Sequence, residues 1–171
     1  MLNPDIKKLL VEQVNKELYS SYLYLSIATY YAVKNLNGFE NWFLVQAKEE
    51  LDHAMLFRQY LINEGENVPL AALAAPDENF DSFRAPLDTS LKHEQFVTRS
   101  IHAIYALAHK QDDFRTMNFL NWFVNEQAEE EKNADELIKR YELFGSDPKG
   151  LYMLNSDLGA RTYAPPSMQL T

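Results

Sequence analysis

The 171-residue chain contains no cysteine. That removes disulfides, thiolate metal sites and cysteine nucleophiles, and it fits a reducing compartment such as the cytoplasm. Glycine is scarce, with five residues, and it punctuates the chain cleanly. No run of about 18 apolar residues occurs, so no membrane span is expected. The opening "MLNPDIKKLL" lacks the basic-then-apolar pattern of a leader. Positive charge is also short: 16 lysines and arginines stand against 25 aspartates and glutamates, a net charge of −9 at pH 7. Nucleic acid is therefore not expected as a partner, because phosphates need a basic face, whereas cations are welcome. What remains is 46% apolar, enough for one domain with a real core.

The breaks fall far apart. Asn3 or Asp5 can cap a helix start with Pro4 in its first turn, and nothing interrupts the chain from Asp5 to about Lys34. "NLNG" (Asn35–Gly38) reads as a turn, and a second helix is predicted from Phe39 to about Glu64, stopping at Gly65. Asn67 to Pro86, with three prolines and several alanines, reads as a long connection. A third helix is predicted from Leu87 to about Lys110, a fourth from Phe114 to Phe144, and a short fifth over Pro148–Leu158. Residues 1–161 are expected to form one domain and 162–171 a loose tail. Long amphipathic helices imply an all-α, four-helix bundle. At 1.5 Å per residue each spans roughly 36–46 Å, and the connection, reaching about 66 Å when extended, can cross the whole bundle and make helices two and three parallel.

Stepping by three or four residues gives the inward stripes. They are mostly apolar or aromatic, and each is interrupted near the middle: Glu17 on the first helix, Glu50 and His53 on the second, Glu94 on the third, Gln127 and Glu130 on the fourth. Four carboxylates in one low-dielectric layer repel one another and are costly unpaired. No lysine or arginine lies on the stripes near this layer, so the balancing cation is expected from outside. Carboxylates with one imidazole and one amide suit two ions of iron or manganese better than structural zinc. Glu17, Glu50 and His53 are expected to hold one ion, and Glu50, Glu94 and Glu130 the other. Gln127 is expected to ligate weakly or to orient a bound small molecule. The spacings repeat: Glu17 to Glu50 and Glu94 to Gln127 are both 33 positions, each followed by a step of three. The chain reads as two similar but unequal hairpins.

"NKELYSSYLYLS" (Asn15–Ser26), "AKEELDHAMLF" (Ala47–Phe57), "KHEQFVT" (Lys92–Thr98) and "MNFLNWFVNEQAEEEK" (Met117–Lys132) resemble the bacterial non-haem ferritins, and the likeness runs along essentially the whole chain. It implies a ferritin-like bundle with one long crossover and a short fifth helix. It also implies a dinuclear ferroxidase centre of Glu17, Glu50, His53, Glu94, Gln127 and Glu130, and a third iron site of Glu49, Glu126, Glu129 and Glu130. Tyr24, and less directly Trp122, would supply electrons. Asp52 stands where the haem-binding branch has a methionine, so no haem is expected. The resemblance implies iron storage: Fe²⁺ oxidised by O₂ or H₂O₂ and deposited as ferric mineral inside a hollow homo-oligomer of 24 subunits. A di-iron oxidase or peroxidase on the same bundle is the alternative, and retained iron separates the two.

Overall fold

The structure is a computed structural model that describes residues 2–76, 79–168 and 170. It contains α1 (Pro4–Val33), α2 (Asn37–Asn63), α3 (Ala85–Lys110), α4 (Phe114–Phe144) and α5 (Pro148–Leu158). Asn3 caps α1 by accepting from the Asp5 and Ile6 amides, with Pro4 in the first turn. Three helices stop in the same way. Asn35, Gly65 and Asp112 take positive φ just past the ends of α1, α2 and α3. In each case the next amide reaches back to a carbonyl five residues earlier: Leu36 to Tyr31, Glu66 to Leu61, Asp113 to Ala108.

Two helix starts differ from the sequence reading. α2 begins at Asn37, inside the expected turn, and α3 begins at Ala85, with Pro86 in its first turn rather than in the connection. Proline is tolerated there because the first-turn amides have no helical partner in any case.

α1 packs against α2, α3 packs against α4, and α1 adjoins α3. Across the remaining side, α2 and α4 stand further apart. The crossover begins beside one end of the bundle, where Val68 packs with the cluster holding Leu61, and finishes beside the other, where Phe80 and Phe83 pack with Tyr31 and Phe39. The Tyr31 hydroxyl ties it down by donating to the Phe83 carbonyl at 2.6 Å. It therefore runs the length of the bundle as expected; its Asp77 and Glu78 lie outside the described residues.

The interior is two apolar bodies rather than one. The first gathers Ile6, Leu10, Val14, Phe57, Leu61, Val97, Ile101, Leu120 and Phe123; the second gathers Leu23, Ile27, Tyr31, Phe39, Phe43, Leu87, Leu137, Leu154 and Leu158. Each such side chain contributes about 1.5–3 kcal/mol by leaving water. Between the two bodies, at one level on all four long helices, lies a polar layer.

The tail departs from expectation. Its prolines and missing periodicity suggest a loose end, yet side-chain anchors hold it to the bundle. The Tyr163 hydroxyl donates to Asp52 at 2.5 Å, the Trp122 indole N–H donates to Ser167 at 3.0 Å, and Met168 and Leu170 pack against the first apolar body. Gln169 and Thr171 lie outside the described residues. Among the described residues, no helix is long and apolar enough to cross a membrane.

Candidate metal centre

Helical periodicity brings the six expected residues into the layer. Glu17, Glu50 and Glu94 are each 1% exposed, His53 and Gln127 2%, and Glu130 5%. One ligand atom each from Glu17, Glu50 and His53 lies within 4.8 Å of the others. Neutral donors satisfy part of the carboxylate surface. Gln13 Nε2 donates to Glu17 Oε1 at 2.8 Å, and Gln46 Nε2 donates to Glu130 Oε2 at 2.8 Å. The Tyr24 hydroxyl and Gln127 Nε2 both donate to Glu94. Behind Gln13 runs a polar chain to the surface: Lys16 Nζ donates to Ser100 Oγ at 2.6 Å, and Ser100 donates to Gln13 Oε1 at 2.6 Å.

Among the described residues, four buried side-chain oxygens have no hydrogen-bond partner: Asn15 Oδ1, Gln46 Oε1 and, in the carboxylate–imidazole group itself, Glu17 Oε2 and Glu50 Oε1. An orphaned buried carboxylate oxygen is expensive, and two of them within one carboxylate–imidazole group are what a cation would satisfy. The donor set therefore fits iron.

The electrostatics agree. Burial pushes the Glu17 carboxyl up to about 7 against the field of His53 and the hydrogen bond from Gln13, and Glu50 up to about 8 against its hydrogen bond with His53 and that ring's field. Glu94 is raised well above the carboxylate range, first by burial and then by the fields of Glu50 and Glu130. Burial pulls His53 down, but its hydrogen bond to Glu50 and the surrounding carboxylates outweigh that and leave it raised to about 10. Burial thus favours the protonated form of these carboxyls, and a cation in the layer would compete with those protons.

Two parts of the expected geometry differ. Among the described residues, Glu50, Glu94 and Glu130 do not gather as a ligand group; His53, Glu126 and Glu130 do, within 4.8 Å. Glu94 is instead turned to Tyr24 and Gln127. Among the described residues, no lysine or arginine pairs with Glu17, Glu50, Glu94 or Glu130, but a side-chain cation does reach Glu49 beside them. Arg161, from beyond α5, pairs with Glu49 at 2.6 Å. Glu129 is exposed, and its field reaches Glu126. Trp122 sits edge-on to His53, ring centroids 5.6 Å apart. Sequence periodicity signalled the carboxylates. It did not mark Gln13 and Gln46 as their donors, although both sit on the inward stripes.

Fold and donor set together define a class: helical bundles with an internal carboxylate–imidazole layer fit for cations. The Ferritin-like domain family model matches residues 7–144. A bacterial non-heme ferritin from Staphylococcus aureus (strain USA300) is 34% identical over 163 residues, 95% of this chain and 98% of its own length. One from Staphylococcus saprophyticus is likewise 34% identical over 163 residues. Among solved structures, an engineered closed form of the Archaeoglobus fulgidus ferritin superposes with a TM-score of 0.93 at 38% identity, covering 96% of this chain and all of that one. The open-pore ferritin from the same archaeon gives the same score and identity, covering 95% of this chain. The chain belongs to the ferritin family.

Proposed function

We propose that the polar layer is a ferroxidase centre through which the chain loads iron. The protein is an iron-storage ferritin. It takes Fe²⁺ into the layer, passes one electron from each ion to O₂ or H₂O₂, and releases ferric product as mineral inside a hollow homo-oligomer of 24 subunits in the cytoplasm. The carrying observation is the pair of orphaned oxygens, Glu17 Oε2 and Glu50 Oε1, buried between two apolar bodies.

Glu17, Glu50 and His53 form the first ion position, and Glu50, Glu94 and Glu130, with Gln127 beside them, the second. Glu49, Glu126, Glu129 and Glu130 form a third. Anionic oxygen stabilises Fe³⁺ more than Fe²⁺, so the carboxylate shell favours oxidation. Glu17, Glu50 and Glu94 give up protons as the cations enter. Tyr24, bonded to Glu94, and Trp122, beside His53, stand where electrons can be drawn. No haem belongs to this reading. A groove of about 640 Å³ between the outer face of α1 and the crossover, lined by the exposed Tyr22, Leu25 and Val33, supports assembly of copies.

The test is aerobic Fe²⁺ loading followed by native mass and iron per chain. Retained iron far above three ions per chain supports storage, and retention at two or three points to the oxidase alternative. Glu50→Ala or His53→Ala is expected to slow initial oxidation by about 100-fold or more, since losing a ligand exceeds the roughly 10–100-fold cost of losing an outer partner. Unchanged rates in both variants would rule out the centre.

A further inference from the structure

The segment after α5 crosses the gap between α2 and α4, directly over the acidic residues beside His53. Arg161 is its main anchor. Its guanidinium donates to Glu49 Oε2 at 2.6 Å and to the Trp42 carbonyl at 3.3 Å, and it lies over the Trp42 ring, 4.2 Å from the centroid. The Arg161 carbonyl accepts from Asn41 Nδ2 at 2.9 Å. The pair is largely shielded, with Arg161 17% and Glu49 20% exposed. Beyond Arg161 the chain is pinned to α2 by Tyr163 on Asp52 and to α4 by Trp122 on Ser167. Ala164, Pro165, Pro166 and Ser167 thereby roof a cavity of about 200 Å³ whose other walls are Glu49, His53, Trp122 and Glu126.

We infer that Arg161 is a built-in competitor for the third cation: it holds the Glu49 carboxylate, so a third ion binds only as the C-terminal strap lets go of α2. The inference rests on the third position assigned above. Two cations sharing one carboxylate repel, and the guanidinium holds the place first. His53, Glu126 and Glu130 come within ligand distance of one another, and Glu49, paired with Arg161, is not in that group. The strap is also easy to release. Between Arg161 and the packed Met168 and Leu170, residues 162–165 are exposed and the chain is held by side-chain anchors at Tyr163 and Ser167, which is the pattern of a segment that opens locally. The coupling is reciprocal: whatever factor the strap takes from the affinity of the third ion, the ion takes from the closure of the strap.

The test uses the full-length, iron-free protein titrated with Zn²⁺, which needs no oxidant, and calorimetry counts the ions. Two ions should bind tightly and a third more weakly. Arg161→Ala should tighten the third by about tenfold or more, within the range of typical couplings, and leave the first two within about twofold. The chain has two tryptophans; Trp122→Phe removes the Ser167 anchor as well as the second fluorophore, so its ion affinities are compared with wild type by calorimetry, and in it Trp42 alone reports on the Arg161 end of the strap. Its emission should change with the third ion only, and Arg161→Ala should show the changed emission before any ion is added. Arg84→Ala breaks a comparable surface pair with Asp88 and Glu142 and should leave the third ion unaffected. If Arg161→Ala does not assemble, Tyr163→Phe loosens the same strap without touching Glu49 and should tighten the third ion by a smaller factor. A third ion of equal affinity in wild type and strap variants overturns the inference, as does an equal response to Arg84→Ala. Loss of the first two ions from the wild-type protein would instead overturn the ferroxidase reading itself.

Discussion

Gln13 illustrates how a neutral side chain sets the state of a charged one. Its amide cannot relay a proton, but it passes the pull of Lys16 and Ser100 to Glu17 as an oriented dipole. Gln13→Leu removes that donation and leaves Glu17 facing burial with less opposition. The carboxyl, already up at about 7, should rise further. A hydrogen bond to a charged group is worth about 1.5–3 kcal/mol, so the pH profile of Fe²⁺ oxidation should move upward by roughly one to two units. Ser100→Ala should move it less. A profile that stays in place would show that Gln13 only fills space. The carboxylates themselves were legible in the sequence because a charge on an apolar helical stripe has no ordinary reason to be there. Their donors were not, because a glutamine on a stripe is equally consistent with packing at a bundle edge.

At the level of elements, the start of α2 is capped from a distance. Leu36 offers no side-chain cap, and Asn155 on α5 accepts from the Gly38 and Phe39 amides at 2.8 and 3.3 Å instead. This explains why α2 begins inside the stretch read as a turn: its cap lies 117 residues away in sequence, and no local pattern announces it. The approach is close enough that a Cβ on Gly38 would fall 1.6 Å from the Asn155 carbonyl oxygen. Gly38→Ala should therefore dislodge α5 and destabilise the chain by about 2 kcal/mol or more, as overpacking does. Asn155→Ala, which only removes the cap, should cost about 1 kcal/mol. Denaturant melts of the two variants check the order. The four long helices and the crossover were readable because their signals, periodicity and prolines, are local. Arg161 on Glu49, 112 residues away, and the anchoring of the tail were not, since side-chain anchors leave no period.

For the whole molecule, the polar layer makes stability depend on pH in a definite direction. Glu17 and Glu50 are raised from 4.5 to about 7 and 8, so the folded metal-free chain binds more protons than the unfolded one between those values. Stability then falls as pH rises through that window. His53, raised to about 10, acts in the same direction, adding stability that is full below 6.5 and lost toward 10. His93 is opposite: burial lowers it to about 4, so its contribution disappears as pH falls from 6.5 toward 4. The metal-free protein should melt highest near pH 5–6 and several degrees lower at pH 8. Added divalent cation should reverse the trend, because ions then replace the missing protons. Thermal melts with and without Zn²⁺ decide it, and a metal-free melting point that climbs between pH 6 and 8 would contradict the raised carboxyls.

The division of the interior carries one more consequence. The acidic belt divides the apolar interior, and it is bridged by the four long helices, the crossover and the C-terminal strap. On the proposed reading, cations seated in the belt would tie all four rods together at the waist, so cargo in transit would also serve as mortar.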